Sequence, residues 1–321
     1  MLEWTRLLRG LRVLRPHNPF LSRQRYGCRR RLTVNIYKGC GWRPYGDAAD
    51  WRCLYCYAVS TTRVEDLHHP RPKEDFRRRL DRDLKRYRRS HLPKYPVYLS
   101  SNSDPFQILE EWHGHALYTL RRLGEEGYPI ILMTKNPGML LKPGYLEAVA
   151  QSRSVVEVTI PFLDGRFEPG APPPPSRIRA VRELVGVGLR VLARVDPIIP
   201  TFGRVQGQTR EELWSLVGRL AEAGVSHVIS KVLHLVNPGK LRSRRHLHFY
   251  RELLPLYLTK GFRISVSTFM LNPEERRRLL QPVYEACRDF GLRLFTCCDP
   301  PFFEGCRPCD GAEEILNLNP V

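Results

Sequence analysis

Three cysteines lie close together on one predicted loop of the chain. Cys40, Cys53 and Cys56 follow a predicted strand at 33–38, and two residues separate the second cysteine from the third. Three thiolates can hold three irons of a four-iron cluster and leave the fourth iron open to a substrate or cofactor. Structural zinc sites usually close with four ligands. The ligand count therefore favours an open cluster, while a zinc site and a trio of free buried thiols remain alternatives.

A second group of four cysteines lies near the end of the chain, in a segment broken by proline and glycine. Such a segment has little periodicity of its own, so we predict that a metal holds it together. An auxiliary iron–sulfur cluster, a zinc ion held by thiolates and a set of unbound thiols all remain open. The residues of this predicted site are Cys297, Cys298, Cys306 and Cys309.

The elements that must position these residues alternate between short apolar strands and longer helical segments. The candidate strands are 33–38, 97–101, 130–134, 155–160, 191–195, 227–232, 263–267 and 293–296. The candidate helices are 76–89, 113–126, 176–187, 210–222, 247–258 and 273–290. This alternation predicts an α/β fold with a parallel sheet, and the number of repeats predicts a partial or complete (β/α) TIM-type barrel.

Two of the predicted helices carry start signals. Asn272 before Pro273 is typical of an N-cap followed by proline at the first helical position. Thr209, with Glu212 three residues later, is typical of a capping box. Both signals support helices that begin directly after these caps.

Polar residues gather where the predicted strands end. In β/α barrels the chemistry takes place at the carboxyl ends of the strands. The residues at or near these ends are Cys40, Ser103, Asp104, Lys135, Thr159 and Asp196. We therefore expect the first cysteine trio and these side chains to share one face of the barrel.

The 321-residue chain is strongly basic, with a formal charge of +19 from 52 Lys and Arg against 33 Asp and Glu. A field of this sign attracts polyanions, chiefly nucleic acid. The basic residues concentrate in the N-terminal stretch 1–32 and in the predicted helix at 76–89. The alternative interpretation is a solvated, Arg-rich surface without a binding role.

The predicted organisation is a basic N-terminal arm at 1–32, a barrel domain at 33–296 and a Cys-rich metal-binding extension at 297–321. The first residues alternate Leu with Arg and do not form the apolar core of a signal peptide. We find no apolar run long enough for a membrane span. Clustered cysteines in such a chain indicate metal binding in a reducing compartment, and we expect the cytoplasm.

The first trio lies within a segment, TVNIYKGC at 33–40 followed by CLYCYA at 53–58, that resembles the cluster loop of the radical S-adenosylmethionine (SAM) superfamily. The resemblance is to its spore photoproduct lyase-like branch, and it extends over roughly residues 33–235. Further matching segments are YLSSNSDPFQILE at 98–110, ILMTKN at 131–136, VEVTIPFLDGRFEPGAPPPPSRIRAV at 156–181 and ARVDPIIP at 193–200.

The resemblance implies that Cys40, Cys53 and Cys56 ligate a four-iron four-sulfur cluster whose open iron chelates SAM. It also implies that SAM is cleaved reductively to a 5′-deoxyadenosyl radical, with the electron coming from an external donor. The SAM contacts that it implies are Tyr55 near the adenine, Ser103 and Asp104 at the methionine moiety, Lys135 at the carboxylate, Thr159 near the ribose, and Arg194 with Asp196 in the pocket. No catalytic residue beyond the cluster and the SAM site can be assigned.

The sequence departs from the family pattern in two places. The gap between the first and second cysteines is twelve residues, 41–52, and is longer than in the family. Loop closure costs only slightly more for a longer loop, so we expect ligation to survive and the insert to fold over the mouth of the site. Ser101 stands where spore photoproduct lyases carry a hydrogen-donating cysteine. A hydroxyl O–H bond is too strong to donate its hydrogen atom readily, so Ser101 cannot take the role of that thiol.

The sequence thus predicts a radical SAM enzyme, of lyase, oxidoreductase or modifying-transferase type, that acts on DNA or RNA. One alternative is a radical SAM enzyme that modifies a protein or a small metabolite. The other alternative is a non-catalytic, zinc-stabilised nucleic-acid-binding protein.

Overall fold

The computed structural model describes residues 14–16, 32–43, 46–90, 93–241 and 243–317. Most of the predicted basic arm at 1–32 lies outside these ranges, so its role stays a prediction.

A nine-stranded sheet forms the centre of the described chain. In spatial order its strands are β1 (Leu14–Pro16), β2 (Leu32–Val34), β5 (Val97–Leu99), β6 (Ile130–Thr134), β7 (Ser154–Thr159), β8 (Val191–Ile198), β9 (His227–Val232), β13 (Arg293–Thr296) and β14 (Arg307–Pro308). Only β1 runs antiparallel to its neighbour. Within the ranges given above, no pairing joins β14 to β1. The predicted α/β fold with a parallel sheet is confirmed.

Two smaller antiparallel sheets flank the barrel. One joins β3 (Tyr37–Lys38) to β4 (Arg71–Pro72), and the other has the order β10 (Leu235–Val236), β12 (Thr268–Leu271), β11 (Gly261–Ser265). The strand predicted at 263–267 as a barrel repeat lies in the second of these sheets, so that part of the prediction is wrong. The physical reason is burial, because β11 is half-exposed whereas the parallel strands of the barrel are almost fully buried.

The described ranges contain eleven α-helices. They are α1 (Ala48–Trp51), α2 (Val64–His68), α3 (Phe76–Arg89), α4 (Ile108–His113), α5 (His115–Glu125), α6 (Tyr145–Ala150), α7 (Pro174–Gly186), α8 (Arg210–Glu222), α9 (Arg244–Thr259), α10 (Pro273–Asp289) and α11 (Ala312–Ile315). Short 3-10 helices occupy Tyr57–Ser60, Pro137–Leu141 and Pro238–Lys240.

The predicted helix starts are confirmed. Asn272 accepts a hydrogen bond from the Glu275 backbone at 2.9 Å, and Thr209 with Glu212 forms a complete capping box. The helix predicted at 113–126 begins at His115 instead, because Gly114 adopts a left-handed conformation (φ 58°) that ends α4.

The two faces of the central sheet bury two separate apolar groups, because successive side chains of a strand alternate. The outer face packs under the helices. The inner face forms a smaller group whose members are Tyr98, Ile131, Val155, Leu192, Ile229, Phe295, Ala312 and Leu316. The last two residues come from α11 and its end, so the predicted C-terminal extension continues the sheet as β14 and fills the inside of the barrel.

None of the helices in the described ranges combines the length and the apolar character that a membrane crossing requires.

Candidate functional site

The first cysteine trio lies beyond the carboxyl end of β2. Cys40 follows β3, and Cys53 and Cys56 precede the 3-10 helix Tyr57–Ser60. All three thiols are free. Burial raises the pKa of the Cys53 thiol to about 12, and the nearby Cys56 and Cys40 thiols act in the same direction. The structure therefore brings the three thiols together, and metal binding would displace the protons of the Cys40 and Cys53 thiols, whose pKa values burial raises.

Gly39 makes the turn into this loop possible. Its φ is +78°, and a Cβ atom there would lie 1.9 Å from the backbone oxygen of Asp66. Only glycine fits this close approach.

Gln107 holds the loop around Cys40 and was missed by the sequence analysis. Its buried side chain accepts a hydrogen bond from the Gly41 backbone at 2.8 Å and donates one to the Gly39 carbonyl at 3.2 Å. The only signal in the sequence is its place inside the segment 98–110. One amide thus fixes the backbone on both sides of the first cysteine.

His246 of α9 holds the loop at the second cysteine. Burial lowers the pKa of His246 to about 4, so the imidazole is neutral. Its Nε2–H donates to the Cys53 carbonyl at 3.1 Å, and its Nδ1 accepts from the Ser243 hydroxyl at 2.9 Å. The loop is therefore anchored to a helix almost two hundred residues away in sequence.

Tyr55, between the second and third cysteines, enters a buried polar network. Its hydroxyl donates to Glu168, whose other oxygen accepts from Arg177 at 2.6 Å. The Lys135 ammonium lies 3.8 Å from Glu168 and 5.5 Å from the centre of the Tyr55 ring. The Leu54 backbone also donates to the Phe167 carbonyl at 2.9 Å. The loop that carries Glu168 therefore clamps the cysteine motif.

Asp104 connects the ends of β5 and β6. Its carboxylate accepts hydrogen bonds from the Thr134 hydroxyl at 2.8 Å, the Lys135 backbone at 2.7 Å and the Phe106 backbone at 2.9 Å. These bonds give Asp104 a positioning role under Lys135. The neighbouring Ser103 hydroxyl is buried and has no hydrogen-bond partner in the described structure.

Arg194 lies at the centre of the inner wall. It donates to Glu157 on β7 at 2.7 Å and to Asp196 on its own strand. Burial alone would raise the pKa of Asp196, but the charges of Arg194 and Lys231 outweigh burial and lower it. Thr159 ends β7 beside Arg194 in the strand register. These residues gather on the cysteine side of the barrel.

Tyr57 directly follows the third cysteine, and the sequence analysis gave it no role. Its ring is about half exposed, at 48%, and its hydroxyl donates to the Ser101 carbonyl. The charges of Lys231, Arg194 and Lys135 act on this phenol, so Tyr57 lies at the mouth of the charged interior.

The four C-terminal cysteines occupy different surroundings. The sulfurs of Cys297 and Cys298 are 3.8 Å apart at the end of β13. Cys306 packs in the outer apolar group with Cys287, while the Cys309 backbone donates to the Thr296 carbonyl at 3.2 Å. In the described ranges, no three His, Cys, Asp or Glu side chains converge on one ion position. A metal at this segment stays a prediction.

The first trio fits an iron–sulfur cluster by the chemistry of its donors. In such a cluster each thiolate binds a different iron, so the sulfurs need not converge on one point. The charges of Arg52 and Lys135 act on Cys40 and Cys53 respectively, and both favour an anionic group at the trio. The buried Ser103 hydroxyl has no hydrogen-bond partner among the described residues, so it is a further group that can bond to a ligand.

Solved structures with the same architecture are spore photoproduct lyases. A mutant of that enzyme with dinucleoside spore photoproduct matches with a TM-score of 0.64 and 18% sequence identity, over 94% of this chain and 79% of that chain. Another mutant, with bound AdoMet and the same dinucleoside, matches with a TM-score of 0.64 and 17% identity over the same shares. The chain has the fold of these spore photoproduct lyase structures.

Curated relatives carry no assigned function. The uncharacterized protein Rv2578c of Mycobacterium tuberculosis is 29% identical over 222 residues, which are 64% of this chain and 59% of the relative. The uncharacterized protein ORF301 of Acidianus two-tailed virus is 29% identical over 142 residues, 43% of this chain and 46% of the relative. The chain thus spans less than two thirds of the length of these relatives. No family model matches the chain.

Proposed function

We propose that this chain is a radical SAM enzyme. Cys40, Cys53 and Cys56 hold a four-iron four-sulfur cluster, and SAM binds at the iron that no cysteine occupies. With a cluster and SAM held there, one electron from an external donor, passed through the cluster, would split SAM into methionine and a 5′-deoxyadenosyl radical. The observation that carries the proposal is the meeting of three free thiols on one loop at the carboxyl edge of this sheet.

The residues around the trio have distinct proposed roles. Lys135 and Ser103 bind the amino-acid end of SAM, and Asp104 fixes the backbone from which Lys135 extends. Tyr55 and Thr159 line the adenosine side, while Glu168 holds Tyr55 in place. Arg194 shapes the pocket through its bonds to Glu157 and Asp196.

We further propose that the substrate is a nucleic acid. The formal charge of +19 and the exposed arginines of α3 (Phe76–Arg89) support this proposal, because phosphates bind to such surfaces. The spore photoproduct lyase structures hold a dinucleoside. A protein or small-metabolite substrate, and a zinc-stabilised binder without catalysis, are the competing hypotheses.

Two further proposals concern the second cysteine group and the compartment. A second iron–sulfur cluster, or a zinc ion for which the four thiols would have to converge, is proposed at Cys297, Cys298, Cys306 and Cys309. The free state of all eight described cysteines supports a reducing compartment such as the cytoplasm.

Anaerobic reconstitution with iron and sulfide tests the main proposal. The wild-type chain should become brown and, with SAM and a strong reductant, release 5′-deoxyadenosine. Cys40→Ala should lose the product because the cluster loses a ligand. Cys287→Ala is the matched control, since Cys287 is buried outside both predicted sites. A colourless wild type that holds zinc and does not cleave SAM would support the non-catalytic binder instead.

A further inference from the structure

Arg52, the residue before Cys53, is buried beneath the cysteine loop. The exposed fraction of the whole Arg52 residue is 1%. One terminal nitrogen, Nη2, donates to the Cys40 carbonyl at 3.1 Å and lies 3.5 Å from the carbonyls of Asp66 and Leu67. The guanidinium therefore lies directly against the backbone of the first cysteine.

The other two nitrogens of Arg52 have no acceptor. Nε and Nη1 are buried, and in the described part of the chain nothing accepts a hydrogen bond from either of them. No carboxylate of a described residue forms an ion pair with Arg52 within 4.0 Å. Burying a guanidinium in this way is costly unless an anion pairs with it. Among the residues that the structure describes, Arg52 thus has no negative partner.

The location of Arg52 indicates which partner is missing. The positive charge of Arg52 acts on the Cys40 thiol, and that of Lys135 acts on the Cys53 thiol. The charges of two cations therefore act on the trio. An anion held by the trio would interact favourably with both, and a cluster bound by three thiolates is such an anion.

A purely structural role would not require this charge. Gln107 holds the same loop at Gly39 and Gly41 with a neutral amide and uses both of its polar atoms. Arg52 bonds to the loop through one nitrogen, and its other two nitrogens have no acceptor among the described residues. A neutral side chain could make the bond to the Cys40 carbonyl at a lower desolvation cost.

We infer that Arg52 is a redox-tuning residue, whose free N–H groups and positive charge act on the iron–sulfur cluster held by Cys40, Cys53 and Cys56. The inference rests on the proposed function. Reduction adds one negative charge to the cluster, so a buried cation beside it stabilises the reduced form. Arg52 thereby raises the reduction potential and eases delivery of the first electron. It belongs to the insert 41–52 that lengthens the cysteine loop, so the insert contributes to electron transfer as well as to the fold.

The test is a redox titration of the reconstituted chain. The electron paramagnetic resonance (EPR) signal of the reduced cluster is measured at each potential. In Arg52→Gln the ratio of reduced to oxidised cluster at a fixed potential should fall about tenfold, which corresponds to a midpoint about 59 mV lower. Arg52→Lys keeps the charge but loses the planar set of donors, and its ratio should fall about threefold. Iron content per chain should stay at the wild-type value in the lysine variant.

The possible outcomes separate the inference from the proposal on which it rests. A wild-type chain without a reducible cluster signal would refute the proposed function. If the wild type gives a normal signal, and Arg52→Lys and Arg52→Gln both keep the wild-type midpoint, only the role of Arg52 is overturned. If Arg52→Gln does not retain iron, the lysine variant alone decides, and a wild-type midpoint there overturns the inference. Arg182→Gln is the control, because this exposed arginine lies on α7, outside the cysteine loop and the proposed nucleic-acid surface.

Discussion

Charged side chains that are buried around the cysteine loop form the framework of the site. Glu168 is the centre of this framework, since its two oxygens bind Tyr55 and Arg177 and its charge faces Lys135. The side chains of Glu168 and Arg177 are both fully buried. Such groups are stable inside a protein only while every partner is present.

Glu168→Ala should therefore destabilise the protein strongly. Removing one partner of a buried ion pair leaves an uncompensated charge, at a cost of about 3–5 kcal/mol in the free energy of unfolding. Chemical denaturation of the metal-free chain measures this cost. Glu111→Ala is the control, because Glu111 and its partner Lys142 are both about half exposed, and the loss should be below about 1 kcal/mol. Equal losses in the two variants would contradict the framework described above.

The residues of the site were predictable to different degrees. Cys40, Cys53 and Cys56 are close in sequence, so their spacing predicts a metal site, while the ligand count alone leaves a cluster, a zinc ion and free thiols open. Gln107 and His246 are ordinary polar residues whose partners lie 66 and 193 positions away. Nothing local distinguishes them, because their role arises only when the chain folds.

At the scale of elements, prediction succeeded where local periodicity and tertiary burial agree. The strands at 130–134 and 227–232 and the helices at 76–89 and 210–222 match the observed bounds. The caps at Thr209 and Asn272 define helix starts through bonds within four residues of sequence, so the sequence contains all the information needed.

The errors at this scale have physical causes. The segment 263–267 has the composition of a strand, but sheet membership depends on long-range pairing that composition does not specify. The strand predicted at 33–38 is divided into β2 and β3, because the Asn35 backbone carbonyl accepts a hydrogen bond from the Lys73 side chain instead of from a neighbouring strand. Within the segment predicted as an extension at 297–321, β14 pairs with β13, and α11 supplies apolar residues to the inside of the barrel.

At the scale of the whole molecule, the large positive charge predicts how the affinity for the proposed nucleic-acid substrate depends on salt. Binding to DNA or RNA should weaken as salt rises, because bound phosphates release their counterions. Lys85 and Arg89 on α3 are exposed and face solvent. Replacing both with Gln should reduce the slope of log K against log salt by roughly 2 units for double-stranded DNA.

Filter binding or fluorescence anisotropy across a salt series measures this slope. The control is a variant with Arg182 and Arg219 replaced by Gln, since these exposed arginines lie on α7 and α8. Absence of binding even at low salt would end the nucleic-acid hypothesis. An equal change of slope in the two double variants would show that α3 has no special role.

The central claim is that three cysteines leave one iron of the cluster open to SAM. EPR spectroscopy of the anaerobically reconstituted and reduced protein tests it most directly, with and without SAM labelled with ¹⁵N in its amino group. We expect SAM to shift the signal of the reduced cluster and the label to show hyperfine coupling to it. A signal that SAM leaves unchanged, with every iron bound by a protein side chain, would contradict the account.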